Sequence, residues 1–129
     1  METVNLAEAF DSFDETWSPR LAATLNGQEL KVAKLEGEFV WHSHPEADEL
    51  FWVVDGELTL ELRDEQDQQL SAGELGVVPA GVEHKPVSEA GAEVVLFEPA
   101  GTENTGDADD EERRAEVEEL ATVSRGAVE

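Results

Sequence analysis

The sequence predicts an all-β chain folded as an antiparallel sandwich or barrel, and three observations lead to that prediction. Short stretches rich in branched and aromatic residues recur along residues 28–98, as is typical of β-strands. Turn signals built from Gly, Pro, Asp and Gln separate these stretches at short intervals. No long helical pattern lies between the strands, which disfavours a parallel α/β sheet.

Eight short strands are expected in this region, each bounded by a turn signal. They are predicted at residues 28–37, 39–42, 50–54, 57–63, 68–70, 75–78, 84–87 and 93–98. The fourth alternates polar and apolar residues, which indicates a half-buried strand. Asp55-Gly56 lies between the third and fourth strands and is the signal of a tight hairpin turn.

The two ends of the chain differ from its strand-rich middle. Residues 1–27 are expected to form an N-terminal lid segment with a short helix, which the side chain of Asn5 can cap. Residues 28–100 are expected to form the barrel, and residues 101–129 an acidic C-terminal tail. Within the tail, residues 107–120 have helix-forming composition, with acids in the first turn where the helix dipole favours them.

Composition excludes several classes of site and partner. The chain has 129 residues, near the usual size of one domain, and no cysteine, so any bound metal must use nitrogen and oxygen ligands. Thirty-two acids against eight Lys and Arg give a formal net charge of −24. Such a balance disfavours nucleic acid and anionic membranes as partners, because phosphate binding needs clustered Lys and Arg.

The acidity extends along the whole chain. Residues 1–100 carry 22 acids and 5 bases, and residues 101–129 carry 10 acids and 3 bases. At ~1 M salt the screening length falls to ~3 Å, so a halophilic chain tolerates this charge. No apolar run approaches the ~20 residues that span a bilayer, and the N-terminus resembles no signal peptide. A cytoplasmic protein of a salt-rich cell is the simplest expectation.

All three histidines fall in two short motifs. His42 and His44 alternate in the first, with Glu49 five positions later, and His84 follows Pro79-Ala80-Gly81-Val82-Glu83. Alternate side chains of a strand share a face, so His42 and His44 point the same way. A short turn can return Glu49 to the pair, whereas His84 must arrive from a distant strand. Three imidazoles and a carboxylate are a recognised ligand set for a divalent transition metal.

Each of these residues also has an ordinary interpretation. A His-x-His pair in a strand is more often structural than metal-binding, Glu49 alone is a typical surface charge, and His84 alone is a typical turn residue. Their joint order and spacing is what favours a site. Glu83 and Lys85 flank His84 and are expected to be surface charges.

The two motifs resemble those of the cupin family. The first joins Gly, His-x-His, Glu and Gly, and is matched by Gly37, His42, His44, Glu49 and Gly56. The second joins Gly, Pro-x-Gly and His, and is matched by Gly73, Pro79, Gly81 and His84. Two positions depart from the pattern: Gly37 lies one residue closer to the histidines, and Ser88 stands where the family often has Asn. Neither is a metal ligand in the family pattern.

The resemblance implies a jelly-roll β-barrel of the kind found in small single-domain cupins described as mannose-6-phosphate isomerase-like. It implies that His42, His44, Glu49 and His84 hold one divalent transition metal. Members of the family use Zn, Mn, Fe, Ni, Co or Cu. Four protein ligands leave one or two positions open, as in catalytic rather than structural sites. A homodimer is also expected.

Three functions remain open on this basis. The first is a metal-dependent enzyme acting on a small oxygenated molecule, sugar-like or enolisable, by isomerase-like or dioxygenase-like chemistry. The second is a metal-dependent module that binds or senses a small molecule without turnover. The third is a dimeric interaction domain that uses its acidic tail. The motifs do not identify a catalytic acid or base.

Aromatic residues surround the motifs in sequence. Phe51 shares the face of Glu49 and is the candidate for a pocket wall. Trp41 and Trp52 lie at positions of opposite parity to the ligands, and are expected to fill the core between sheets or a dimer interface.

Overall fold

A computed structural model describes residues 1–109, 115 and 118–120. The described elements are α1 (Leu6–Asp11), β1 (Arg20–Leu25), β2 (Gln28–Glu38), β3 (Glu49–Leu62), β4 (Gln68–Ser71), β5 (Leu75–Val78), β6 (His84–Pro99) and β7 (Glu118–Glu119). The strands form one sheet in the order β4-β3-β6-β2-β1-β7, with β5 also paired to β3. Every pairing of these strands is antiparallel except that of β1 with β7. The predicted all-β jelly-roll class is confirmed.

Two long strands replace four of the predicted short ones. The hairpin predicted at Asp55-Gly56 is wrong, because β3 continues through this dipeptide while paired with β6. The register of β3 with β6 shifts on either side of Gly56. Gly56 has a φ of 85° and Gly91 a φ of 99°, and both values are left-handed. An Asp-Gly pair supplies the positive φ of a bulge as readily as that of a turn. These bulges bend β3 and β6 around the barrel without interrupting them.

Two further differences concern strands near the ends of β2. The strand predicted at residues 39–42 is absent, and His42 makes only an isolated bridge to His84. Conversely, β1 was not predicted, because its two central alanines are weak strand formers. Asn26-Gly27, with φ of 52° and 76°, closes the β1–β2 hairpin, and this dipeptide was the available signal.

The apolar side chains divide between the barrel interior and one outer face. Ten buried residues fill the interior, namely Ala33, Leu35, Phe51, Val53, Leu58, Leu60, Val78, Ala92, Val94 and Leu96. On the outside, α1 covers β2 and β6 by packing Phe10 beside Val32 and Val95. The Asn5 side chain accepts a hydrogen bond from the Glu8 N–H at 3.0 Å, so Asn5 caps α1 as predicted.

The acidic tail begins with turns rather than a helix. Residues 104–107 form turns, and Glu118–Glu119 lie beside β1 as β7, so the predicted helix does not extend through them. Its remaining residues, 110–114 and 116–117, lie outside the described part of the chain. No helix among the described residues is long and apolar enough to cross a membrane.

Replacing Gly56 by Ala tests the bend in β3. A Cβ at Gly56 would overlap the carbonyl oxygen of Gly91, whereas a Cβ at Gly73, which has a similar φ of 89°, meets nothing within 4 Å. Gly73→Ala should therefore lower the free energy of unfolding by only ~1–2 kcal/mol, the cost of a left-handed alanine backbone. Gly56→Ala should lower it by more than ~3 kcal/mol, because the clash adds to that cost. Urea denaturation at high salt measures both, and equal losses would show that the close approach of β3 and β6 is unimportant.

Candidate metal centre

The two motifs meet because their backbones are hydrogen-bonded to one another. The His42 N–H donates to the His84 carbonyl at 3.0 Å, and the His84 N–H donates to the His42 carbonyl at 2.8 Å. The Gly81 N–H donates to the His44 carbonyl at 3.0 Å, and the Ala80 N–H to the Asp48 carboxylate at 2.8 Å. The loop before β3 and the loop before β6 are thus joined at four points.

The structure brings all four predicted ligands together. One donor atom from each of His42, His44, Glu49 and His84 lies within 4.8 Å of the others, and all four residues are buried. Oε1 of Glu49 is 3.3 Å from Nε2 of His44 and 3.4 Å from Nε2 of His84. Two ligand atoms that are each ~2.1 Å from one ion lie ~3–4 Å apart, so the cluster has the dimensions of a metal site.

Hydrogen bonds from Nδ1 to backbone carbonyls orient two of the imidazoles. Nδ1 of His42 lies 2.9 Å from the Val40 carbonyl, and Nδ1 of His84 lies 2.9 Å from the Val82 carbonyl. A carbonyl only accepts, so each Nδ1 carries the proton and each Nε2 has a free lone pair. Burial, with His84 acting in the same direction, lowers the pKa of His42 to about 4. His42 is therefore neutral at pH 7, as metal ligation requires.

Unsatisfied atoms show that these residues fit a metal ion. Nε2 of His44, Nε2 of His84 and Oε1 of Glu49 are buried and have no hydrogen-bond partner. Leaving a buried polar group unpaired costs ~1–3 kcal/mol, so three converging unpaired polar atoms are expected only where something binds them. A cation that accepts three lone pairs at this point would satisfy all three atoms.

Glu98 and Lys31 lie behind Glu49 and were not identified from the sequence. The buried Lys31 ammonium donates to Oε1 of Glu98 at 2.9 Å, and the carboxyl groups of Glu98 and Glu49 are close enough to interact. Burial, reinforced by the Glu49 carboxylate, raises the pKa of Glu98 to about 9. Burial also opposes ionisation of Glu49, but its interaction with Glu98 holds its pKa well below the usual value. The two carboxyl groups therefore share one proton, which Glu98 holds.

A small cavity adjoins this group of charges. Its volume is about 40 Å³, and Phe39, Phe51 and Trp17 line it together with Lys31 and Glu98. Trp17 stacks on Phe39 with ring centroids 4.8 Å apart, and the Phe51 ring meets His84 edge-on at 6.1 Å. Phe51 thus stands where the sequence placed a pocket wall. A larger, open cavity of about 620 Å³ reaches His44.

Comparison with known proteins identifies the family. The family model of the Cupin domain matches residues 27–99, which is more than half of the chain. A cupin-2 domain containing protein from Shewanella frigidimarina is 43% identical, with a TM-score of 0.73 over 75% of this chain and 94% of that one. The chain belongs to the cupin family.

The chain is also similar to two other proteins. The uncharacterized protein YdbB of Bacillus subtilis is 36% identical over 61 residues, 47% of this cupin and 54% of YdbB. The match thus spans about half of the length of that curated relative. The hydroquinone 1,2-dioxygenase PnpCD, solved in complex with Fe3+, is 20% identical, with a TM-score of 0.63 over 68% of this cupin and 29% of that chain. That similarity shows the fold alone.

The expectation that Trp41 and Trp52 fill a core is wrong. Trp52 is 39% exposed, and Trp41 is partly exposed with the Arg63 guanidinium 4.1 Å from its ring centroid. In a barrel, positions of opposite parity to the interior face outward, and α1 covers only part of that outer face. Their role at a dimer interface remains a prediction.

The proton on Glu98 predicts a pH dependence of stability in the metal-free cupin. The folded state keeps this proton to about pH 9, whereas the unfolded chain releases it near its ordinary pKa of 4.5. Between these values the folded state binds more protons, so the free energy of unfolding falls as pH rises. Glu98→Gln keeps a donor but cannot titrate, and should remove roughly 2 kcal/mol of the decline between about pH 7 and pH 9.

Chemical denaturation at a series of pH values measures this difference. Glu89→Gln is the matched control, because Glu89 is an exposed residue of the same strand. Parallel pH profiles for Glu98→Gln and the wild type would contradict a shared proton.

Proposed function

We propose that this cupin binds one divalent transition metal through His42, His44, Glu49 and His84. The observation that carries the proposal is the convergence of their buried donor atoms, three of which have no hydrogen-bond partner. Zn, Mn, Fe, Ni, Co and Cu all accept such N/O ligands, and the ligand set does not choose among them. The carbonyls of Val40 and Val82 orient His42 and His84 before any ion arrives.

We further propose that the cupin is a metal-dependent enzyme for a small oxygenated molecule. A bound ion with one or two open positions would polarise a substrate oxygen. Phe39 and Phe51 form an apolar wall of the adjoining cavity and limit the water around the reacting atoms. Glu98, which holds a proton inside this cavity, is placed to donate a hydrogen bond to a substrate oxygen.

Two reaction classes are compatible with these features. Isomerase-like chemistry at an enolisable centre needs a metal and a proton carrier, and Glu98 is the candidate carrier. The Fe3+ in the fold relative hydroquinone 1,2-dioxygenase supports dioxygenase-like chemistry as the other form of the proposal. A binding or sensing role without turnover is the second candidate function, and the larger cavity of about 620 Å³ beside His44 has room for the bound molecule.

The acidic composition and the outer surface support two further parts of the proposal. A net charge of −24 fits a salt-rich cytoplasm, where the charge is screened. Trp52, Leu75 and Val77 are 39%, 57% and 55% exposed on paired strands, and they are available to bury against a second copy in a homodimer.

His44→Ala tests metal binding directly. Loss of a residue that only hydrogen-bonds to a metal ligand weakens metal affinity by up to ~100-fold. Loss of one of the four ligands themselves should weaken it by more than that. Thermal unfolding with each candidate metal at high salt is the measurement, because a ligand at ~100 times its Kd adds ~2.7 kcal/mol of stability. The metal-free variant should remain folded.

Glu83→Ala is the control for this experiment. Glu83 adjoins His84 but is exposed and paired with Arg63 at 3.2 Å, so its loss should leave metal binding unchanged. A wild-type cupin that gains no stability from any of the six metals, and contains none when purified, would refute metal binding.

A further inference from the structure

We propose that Asp107 is a positioning residue of the metal centre, which fixes His42 and His44 relative to each other. It belongs to residues 102–107, here called the strap, at the start of the acidic tail. The inference rests on the proposed metal binding by these histidines. It assigns a defined role to one carboxylate in a segment whose composition indicated only an acidic tail.

Asp107 engages every polar group of Ser43. Its two carboxylate oxygens accept from the Ser43 N–H at 2.6 Å and from the Ser43 hydroxyl at 2.9 Å. The Asp107 N–H in turn donates to the Ser43 carbonyl at 2.9 Å. A carboxylate acceptor makes the first two bonds stronger than neutral ones. Three hydrogen bonds between one pair of residues leave Ser43 little freedom to rotate.

Ser43 is the residue whose backbone dihedrals set the two imidazoles against each other. On one side, His42 is bridged to His84 by two backbone hydrogen bonds. On the other side, the His44 carbonyl accepts from Gly81. Between these fixed points no regular strand supports the chain, since β2 ends at Glu38 and β3 begins at Glu49. Asp107 supplies at Ser43 the backbone partners that a neighbouring strand would otherwise supply.

The strap also packs directly on the imidazoles. A Cβ built on Gly106 would overlap the Ser43 carbonyl and would lie 2.9 Å from Cδ2 of His42 and 3.1 Å from Cε1 of His44. Only glycine allows the strap backbone to approach both rings so closely. The strap therefore limits the motion of both rings from outside the barrel.

The other end of the strap is anchored in the barrel interior. Lys31 donates to the Thr102 carbonyl at 3.2 Å, and the Asn104 amide lies 3.4 Å from the Trp17 carbonyl. Thr105, in the same segment, is fully buried. Asp107 is thus held at a defined place, as it must be if it is to position Ser43.

The charge of Asp107 offers a different explanation, which one substitution separates from positioning. An anion near the site would favour a cation by attraction alone. The substitution Asp107→Asn removes the charge, but the amide that replaces the carboxylate can still accept from the Ser43 N–H and donate to the Ser43 hydroxyl. Asp107→Ala loses both the charge and the side-chain hydrogen bonds.

Cobalt titration of these variants at high salt tests the proposal. Asp107→Ala should weaken Co2+ binding by ~10- to 100-fold and alter the visible Co2+ spectrum, which reports ligand geometry. Asp107→Asn should bind within ~3-fold of the wild type with an unchanged spectrum, and Ser43→Ala should fall between the two. Asp109→Ala removes an equal charge two residues away and should match the wild type.

A purely structural effect is separated by a variant remote from the site. Ser88→Ala removes a buried hydrogen bond of 2.7 Å to the Glu57 carbonyl, and should lower thermal stability while leaving the Co2+ spectrum unchanged. Wild-type Co2+ affinity and spectrum in Asp107→Ala would overturn the positioning role and leave the proposed function standing. Equal losses of Co2+ affinity in Asp107→Ala and Asp107→Asn would do the same. A wild type that binds no Co2+ or other candidate metal would overturn the inference and the proposed function together.

Discussion

The pair of backbone hydrogen bonds between His42 and His84 is the constraint on which the site depends. These two residues are far apart in sequence, and no strand of the first motif brings them together. The bridge sets the distance between the motifs, and His44 and Glu49 follow from it through short loops. Because both motifs are held by main-chain bonds, the ligand geometry exists before any ion is bound, which reduces the free-energy cost of binding one.

The bridge is in turn supported by the long ladder between β3 and β6. This ladder runs from Leu50 beside Phe97, through the bulges around Gly56, to Leu62 beside His84, so its last pair lies at the site. Because both strands are long and bent, Glu49 at the start of β3 comes beside His84 at the start of β6. Apolar side chains fill the barrel interior, and a group of buried charges lies beside the metal site. Lys31, Glu49 and Glu98 are tolerated there because each has a charged or hydrogen-bonding partner.

Much of the fold and the ligand set could be predicted from the sequence. His42, His44, Glu49 and His84 were recognisable because the chain has no other histidine and because their spacing matches a family pattern. The long strands were divided wrongly because Asp-Gly favours a turn and a bulge equally. A partner strand decides between them, and local sequence does not contain that information.

The remaining parts of the site arise from contacts between distant residues. Lys31 and Glu98 are 67 positions apart, and nothing local marks either as buried. Only their parity carried a signal, because Lys31 alternates with the interior residue Ala33 and Glu98 with Leu96, and a charge on an interior face needs a partner. Asp107 is one acid among many in the tail, and only its three hydrogen bonds to Ser43 distinguish it. The composition predicts a solvated tail, whereas the first residues of the tail pack on His42 and His44.

Anomalous diffraction from crystals of the metal-loaded cupin, recorded at the absorption edge of the bound metal, tests the central claim most directly. We expect one strong peak ~2.0–2.2 Å from Nε2 of each of the three histidines and from a carboxylate oxygen of Glu49. Absence of a peak among these four side chains, or a peak confined to the acidic surface, would contradict it.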